Sequence, residues 1–427
     1  SKKDSPEPIY MWYEENTLFF SSKNKIKINE DSYQLLAGLK SLTDIEDIKE
    51  WNASEVKDMG SFFNGDKSLS NIKALSYWKT NSLTNMSYMF NGCENLSDVT
   101  SLAGWKTKNV TDMPDLFHNT GLTDITALKY WNTSQVADIS SMFEETEINS
   151  IEPLKDWDTE QVTTMIGTFS TTRITDLTPL KNWNTKHTTN MSYLFQETDI
   201  TSTKGLENWD VSNVKNMRSI FSSCMKLEDI EALSNWKTEN LTTLNNAFKY
   251  TKITTLDALK NWNTSELSEI QGLFANTRKL ENIEGLLNWN VSKVKSLKNV
   301  FYKTSFTSTK ALKNWNTKEV ETLESTFDHT KIKDLSGLKD WNVSNVKNFD
   351  YTFCNTKVES LEDLKNWDTS KGESFSYTFS YNEVLKDVSG INNWKIDAGT
   401  NFEKIFYKTE MKPTWNGTWN EQNTFVK

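Results

Sequence analysis

The sequence predicts an α/β repeat solenoid, a right-handed coil with one short strand and one short helix in each 26- or 27-residue unit. Two observations carry this expectation. A tryptophan recurs at Trp51, Trp78, Trp105, Trp131, Trp157, Trp183, Trp209, Trp236, Trp262, Trp289, Trp315, Trp341, Trp367 and Trp394, each 26 or 27 residues after the last. A phenylalanine then follows every one of them twelve positions later, from Phe63 and Phe90 to Phe406. A fixed period of this length marks a stack of small units, none able to bury its own apolar face alone.

A globular chain of 427 residues would ordinarily split into two or three domains. The period instead favours one solenoid over residues 33–411 with about 14 coils, a β cap over 1–32, and a cap or linker over 412–427. The hydrophobic fraction of 36% suits a narrow continuous core. A net charge of −10 argues against nucleic acid, whose phosphates demand a basic stripe. No apolar run is long enough to span a membrane, so this chain is expected not to insert, with any export signal or anchor outside the numbered residues.

Counted from the Trp, apolar residues return at −9, −6, −3, 0, +5, +8 and +12. Around Trp131 these are Leu122, Ile125, Leu128, Val136, Ile139 and Phe143. The stretch from −9 to −6 reads as the strand. The +5, +8 and +12 spacing reads as a short helix, with Ser134 and Ser212 as examples of its N-cap. Units of 26 residues carry Thr at +15, as in Thr120, Thr146 and Thr172, and 27-residue units insert one residue just after it. Residues 33–50 form the second half of a unit that lacks its Trp. Ile9–Trp12, Thr17–Phe20 and Lys25–Ile28 read as strands that cover the first coil's edge.

The run Trp341-Asn-Val-Ser-Asn-Val-Lys-Asn-Phe349, with Val214-Lys-Asn-Met-Arg-Ser-Ile-Phe221 and Leu83-Thr-Asn-Met-Ser-Tyr-Met-Phe90, resembles a known bacterial repeat. It is similar to that of the BspA-family leucine-rich-repeat surface proteins, in the subtype with a Trp-x-Thr-Ser-x-Val-x-x-Met-x-x-x-Phe core. The Phe-x-x-Cys-x-x-Leu signature stands at Phe90-Cys93-Leu96 and Phe221-Cys224-Leu227. Most other units replace that Cys, and Gly372 and Gly399 stand where Val is expected. The resemblance implies a leucine-rich-repeat-like coil with short parallel strands on a concave face. It also implies extracellular display on a bacterium and adhesion to a host or cell-surface protein.

No catalytic constellation emerges, and neither a metal site nor a cofactor is expected. His118, His187 and His329 occupy three different repeat positions, without Cys or carboxylates at ligand spacing in the sequence. Cys93, Cys224 and Cys354 are too few for a disulfide framework and read as buried thiols. The 14 in-phase tryptophans read as core before they read as sugar platforms.

The one functional signal is charge. Positions −8, −7 and −5 flank the strand residues and are expected to face outward. They carry Asp44, Asp98, Asp124, Asp176, Glu228, Asp229, Glu231, Asp257, Glu281, Glu284, Asp334, Glu359 and Asp387, with Glu46, Glu152 and Glu362, against five lysines. The expected function is a non-enzymatic adhesin or receptor-binding module whose concave acidic face takes a basic host or cell-surface protein. The alternative is a carbohydrate- or cell-wall-binding module that uses Trp415, Trp419, Tyr250, Tyr302 and Tyr407. The competing structural explanation is that Lys at −2 neutralises the acidic row, while Asp and Thr merely suit turns.

Overall fold

The structure is a computed structural model that describes residues 10–15, 17–23, 25–397 and 399–427. The chain divides into two compact units, Ser1–Thr175 with Asn182–His187, and Asp176–Lys181 with Thr188–Lys427. Both are leucine-rich-repeat coils built from the same unit.

Within the unit, parallel pairing does occur inside the stretch expected as the strand, but the short helix follows that stretch and does not lie at +5 to +12. The short helix is a 3-10 helix that starts at −5, as at Lys73–Tyr77, Thr126–Tyr130 and Glu231–Asn235. Strand pairing between coils shrinks to single parallel bridges at two positions, with one more, Lys27 to Asn52, at the N-terminal edge. The bridges at −7 join coils in pairs, such as Asp44 with Asn71 and Ser202 with Asp229. Those at +7 run on through several coils, through Asp31, Asp58, Asn85, Asp112, Asp138 and Thr164 in the first unit. In the second unit, one run links Asn190 to Glu269 and another links Ser296 to Asn401. The more continuous ladder therefore lies beside the apolar stripe that had suggested a helix.

The backbone from +8 to +15 is the physical reason that no helix forms there. In the coil of Trp51, the N–H groups of Met59, Ser61, Phe63 and Gly65 donate to Asn85, Ser87, Met89 and Asn91 of the next coil. The N–H groups of Phe62, Asn64 and Asp66 between them close tight turns onto Met59, Ser61 and Phe63. Alternate donors thus point along the stack, which no α-helix permits. The geometry requires a left-handed residue at +10 and at +14. Every coil obeys, from Ser61 (φ 55°) and Gly65 (φ 79°) to Lys404 (φ 50°) and Lys408 (φ 56°). Among the described residues, Glu15 and Asn423 are the only non-glycine residues with positive φ outside these columns, Gln34 being the +10 residue of the half-unit. Thr171 at φ 54° is the costliest, because a β-branched residue is poorly tolerated there.

Packing fixes the coils at a common spacing. Each indole from Trp78 to Trp183 in the first unit donates to the carbonyl at −3 of the coil before it, at 3.0–3.2 Å. The second unit repeats this from Trp209 to Trp394. The +12 rings stack, with Phe63 on Phe90 at 5.5 Å and Phe353 on Phe379 at 5.7 Å. The +15 Thr donates its hydroxyl to the +12 carbonyl of its own coil, as Thr146 does to Phe143 at 2.7 Å. Cys93 and Cys224 take that position with buried thiols directed at the Phe63 and Phe195 carbonyls.

Tyr10–Glu14 and Thr17–Ser21 pair as an antiparallel hairpin, and Phe20 sets its ring edge against Trp51 at 5.1 Å. Ile9 lies outside the described residues. Thr418–Trp419 and Phe425–Val426 form a second hairpin. Here Trp415 is buried and donates to the Ile391 carbonyl, so it performs the repeat tryptophan's role from a different stretch of chain.

Asp66 stands at the +15 position of the first full coil. It accepts the Leu39 N–H at 2.6 Å, which ties down the half-unit, but its second oxygen is buried without a partner. Burial pushes its carboxyl up to about 7, despite the backbone N–H groups of Leu39 and Gly38. Asn382 fills the corresponding place near the other end without that defect. Its carbonyl accepts the Thr356 N–H, and its amide donates to Phe353 and Phe379.

Two predictions follow from strain and from this buried acid. Thr171→Gly should raise the thermal midpoint, by relief worth about 1 kcal/mol, whereas Gly65→Val should lower it by a similar amount. Scanning calorimetry of both variants checks this, and equal midpoints would remove the strain argument. Because the folded pKa of Asp66 lies above its unfolded value near 4, its stabilising contribution is complete below about pH 4 and is lost as pH rises toward 7. Asp66→Asn should therefore be more stable than the parent at pH 7, and the difference should shrink toward pH 4 in parallel denaturation series.

Candidate functional site

Each coil turns corners with one repeated device. A short polar side chain accepts the backbone N–H two residues on, as Asx and Ser/Thr turns do. At +1, Asn132 takes the N–H of Ser134, so the serine read as a helix cap is a donor into a turn. At +7, Asp138 takes the N–H of Ser140. At −7, Asp124 takes both the N–H and the hydroxyl of Thr126, at 2.8 and 2.6 Å, and opens the 3-10 helix. This third corner passes through the expected acidic face.

In the first unit, the −7 aspartates are therefore turn residues. Asp44 accepts from the Glu46 N–H and the Asn71 amide, and Asp98 accepts from the Thr100 N–H and hydroxyl. The hydroxyl of Thr100, then its N–H, hold Asp98 below the usual carboxylate range, and Thr126 does the same for Asp124. Glu46 and Glu152 lie one corner further on and pair with the −2 lysines, Lys49 at 3.1 Å and Lys155 at 2.6 Å. The structural explanation covers this unit's share of the acidic row.

The second unit divides more unevenly. Asp176, Asp229, Asp334 and Asp387 are again corner acceptors, from the N–H groups of Thr178, Glu231, Ser336 and Ser389. Asp229, Asp334 and Asp387 also accept from Ser202, Ser308 and Ser360 of the preceding coil. Glu359 pairs with Lys386 at 3.2 Å and Glu362 with Lys365 at 2.7 Å. A different group remains exposed. Glu231, Asp257 and Glu284 open the 3-10 helices of three successive coils, and Glu228 and Glu281 flank them at −8. Glu228 meets Lys279 at 3.7 Å, while Glu231, Asp257, Glu281 and Glu284 have no ion-pair partner among the described residues. At −2 these coils carry Ser234, Lys260 and Leu287, so two of the three lack a lysine like those that pair with Glu46, Glu152 and Glu362.

The aromatic alternative loses its strongest members. Trp415 is buried, and Trp419 stacks on it at 5.9 Å within the terminal cluster. Tyr250 is exposed, but Tyr302 and Tyr407 are half-buried, each near a lysine ammonium. The histidines are less solitary than the sequence suggests. His118 contacts Asp115 at 3.0 Å and is half-buried, and the Asp115 hydrogen bond raises its pKa. His187 is exposed, with its Nδ1 2.8 Å from the Glu160 carbonyl. His329 has Asp328 and Cys354 beside it, the three ligand-type atoms lying within 4.8 Å of one another. Spacing along the chain hid this group, because Asp328 and Cys354 stand at +13 in adjacent coils.

These features define a leucine-rich-repeat protein whose repeated residues are occupied by packing and corners. The chain belongs to the family described as Mycoplasma protein of unknown function, DUF285, whose model matches residues 32–149, 116–226, 197–309, 225–334, 276–360 and 326–425. The matches tile the chain as the Trp period does, in keeping with the BspA-type bacterial repeat read from the sequence. Among solved structures, the chain is similar to a leucine-rich repeat protein from Bacteroides ovatus, with 12% identity over 91% of this chain and 88% of that one and a TM-score of 0.35. A leucine-rich repeat protein from Eubacterium ventriosum gives 13% identity over 81% and 86%, with a TM-score of 0.31. A leucine rich cell surface protein from Faecalibacterium prausnitzii gives 12% over 90% and 94%, with a TM-score of 0.30. Curated protein sequences give no match. Among the described residues, no helix is long and apolar enough to cross a membrane.

The corner reading predicts that Asp124→Ala lowers stability by about 1 kcal/mol, the usual cost of losing such an acceptor, while Asp124→Asn is near neutral at pH 7. Since Thr126 depresses the folded pKa, the carboxylate's stabilisation is present above about pH 4 and is lost as pH falls through the folded value. Denaturation from pH 7 to 3 should show that the Asn variant lacks this loss.

Proposed function

We propose that this chain is a bacterial cell-surface binding module that recognises a basic segment of a host or cell-surface protein. Its contact is the exposed acidic stretch of the second unit, centred on Glu231, Asp257 and Glu284. The single observation that carries this reading is the failure of charge compensation there. Apart from the neighbouring Glu281, the other carboxylates of the row are corner acceptors or have lysine partners. These three instead stand on successive coils with lysine at only one of the −2 positions, and only Asp257 is held by a neutral donor, the Asn282 amide. Like charges on neighbouring strands of a sheet are destabilising, and the same repulsion acts here until a cationic partner relieves it. The broader acidic row, from Asp44 to Asp387, contributes background potential that steers the encounter. Surface location rests on the resemblance of the repeat.

The test is binding of the intact chain to immobilised extracellular proteins of host tissue, measured as a function of salt. Affinity should fall at least tenfold between about 0.05 and 0.5 M salt, as screening contracts the Debye length to a few ångströms. The triple variant Glu231→Gln, Asp257→Asn, Glu284→Gln should bind more weakly and with a shallower salt dependence. An affinity indifferent to salt, or to the triple variant, would place the contact elsewhere.

A further inference from the structure

The structure assigns a second, separate chemistry to the +13 and +14 positions of two adjacent coils in the second unit. We propose that Asp328, His329 and Cys354 form a three-ligand site for a divalent cation of the zinc class, with a fourth position open toward solvent.

The ligand atoms lie within 4.8 Å of one another, and the His329 Nδ1 is 2.5 Å from the Asp328 carboxylate. A filled tetrahedral site has ligand-to-ligand edges of roughly 3.5 Å, so loading requires the imidazole and carboxylate to part by about 1 Å. Side-chain rotation accomplishes this, because the histidine is accessible: 41% of its side chain is exposed, against 8% for Asp328. Cys354 is buried as well. The opening that admits the cation is therefore on the histidine side.

The backbone already fixes the group. His329 donates its N–H to the Cys354 carbonyl at 2.8 Å, a rung of the inter-coil ladder that sets the two ligands one coil apart. His329 has φ 58°, one of the obligatory left-handed positions, and its ring meets Tyr302 edge-on at 6.1 Å. A site held this way loses little further freedom when a metal enters.

The donor set chooses the cation. One imidazole nitrogen, one thiol sulfur and one carboxylate oxygen suit zinc and its neighbours, whereas calcium and magnesium take oxygen-rich shells. The arrangement also answers a cost. A nine-tenths buried carboxylate has one ion-pair partner among the described residues, the histidine, and adjoins the buried Cys354 thiol. A divalent charge would satisfy the carboxylate. On binding, the sulfur–hydrogen bond of Cys354 breaks, the sulfur keeps the electron pair for the new metal–sulfur bond, and its proton leaves to solvent. The imidazole proton held between His329 Nδ1 and Asp328 passes by way of solvent to Nε2, so that the neutral ring offers Nδ1 to the metal. The ion then ties two coils by side-chain bonds in addition to the ladder. A water, or a donor group from a bound partner, completes the tetrahedron.

Cobalt titration of the metal-free intact chain under reducing conditions tests this. One equivalent should produce a thiolate-to-cobalt charge-transfer band with tetrahedral visible absorption, and zinc should abolish both by displacement. Cys354→Ser should remove the band, while Cys93→Ser and Cys224→Ser should retain it. His329→Asn keeps a residue that tolerates the left-handed backbone, so the fold is preserved, and it should weaken cobalt binding at least tenfold. No charge-transfer band in the parent, a band that persists in Cys354→Ser, or undiminished affinity in His329→Asn would each overturn the site.

Discussion

The rest of the structure depends on one constraint: alternate backbone N–H groups from +8 to +14 are donated to the next coil rather than to their own. This satisfies polar backbone in a segment that is neither helix nor extended strand, and a buried unpaired N–H would cost far more than the distortion. The distortion is confined to two positions per coil, where φ is positive whatever the side chain. Tyr193, Glu197, Thr171 and Lys303 all accept it, so inter-coil hydrogen bonding outweighs local preference by at least the 1–2 kcal/mol that such a residue ordinarily costs. The same ladder fixes the spacing at which the Phe rings stack and the indoles reach the preceding coil.

Once the spacing is fixed, the remaining columns follow. The tryptophan fills the corner between coils and satisfies the carbonyl at −3, which a phenylalanine in its place would leave without that donor. The +15 column must supply a small donor to the +12 carbonyl, and Thr, Cys and Asn382 all do so. Asp66 cannot donate when ionised, and burial of its carboxyl displaces it toward neutrality. Corner residues at −7, +1 and +7 must accept, which admits Asp, Asn, Ser and Thr alike. Some of the acidity of this chain is therefore hydrogen-bond chemistry that happens to be charged.

These requirements explain which features the sequence made legible. The period, the aromatic columns and the apolar stripe were plain, because a core position admits few residue types. Placing the helix was not, because a spacing of three and four describes chained turns as well as it describes an α-helix. The left-handed columns left no glycine signature: Gly65 and Gly92 announce one, but Tyr250, Lys303 and Lys408 in the same column do not. The acidic row was visible as charge, yet charge alone could not separate Asp124, a corner acceptor, from Glu284, which has no ion-pair partner among the described residues. The distinction lies in whether the N–H two residues on points back at the side chain.

The histidine cluster shows the deeper limit of reading along a chain. Ligand motifs are sought at short separations because helices and hairpins return a chain to itself within a few residues. A coil returns one period later, so Asp328 and Cys354 are neighbours although a whole repeat separates them. The relevant motif is then a column, and its members are found only after the register is fixed by residues with no part in the chemistry. In the +13 column, Tyr302, Asp328 and Cys354 are consecutive, and His329, held in a left-handed backbone by the ladder, sets its ring against Tyr302 with a ring nitrogen near Asp328 and Cys354. Strain required by the fold thus presents a ligand, and variation within a column whose backbone never changes is how such a repeat can acquire a site without altering its core.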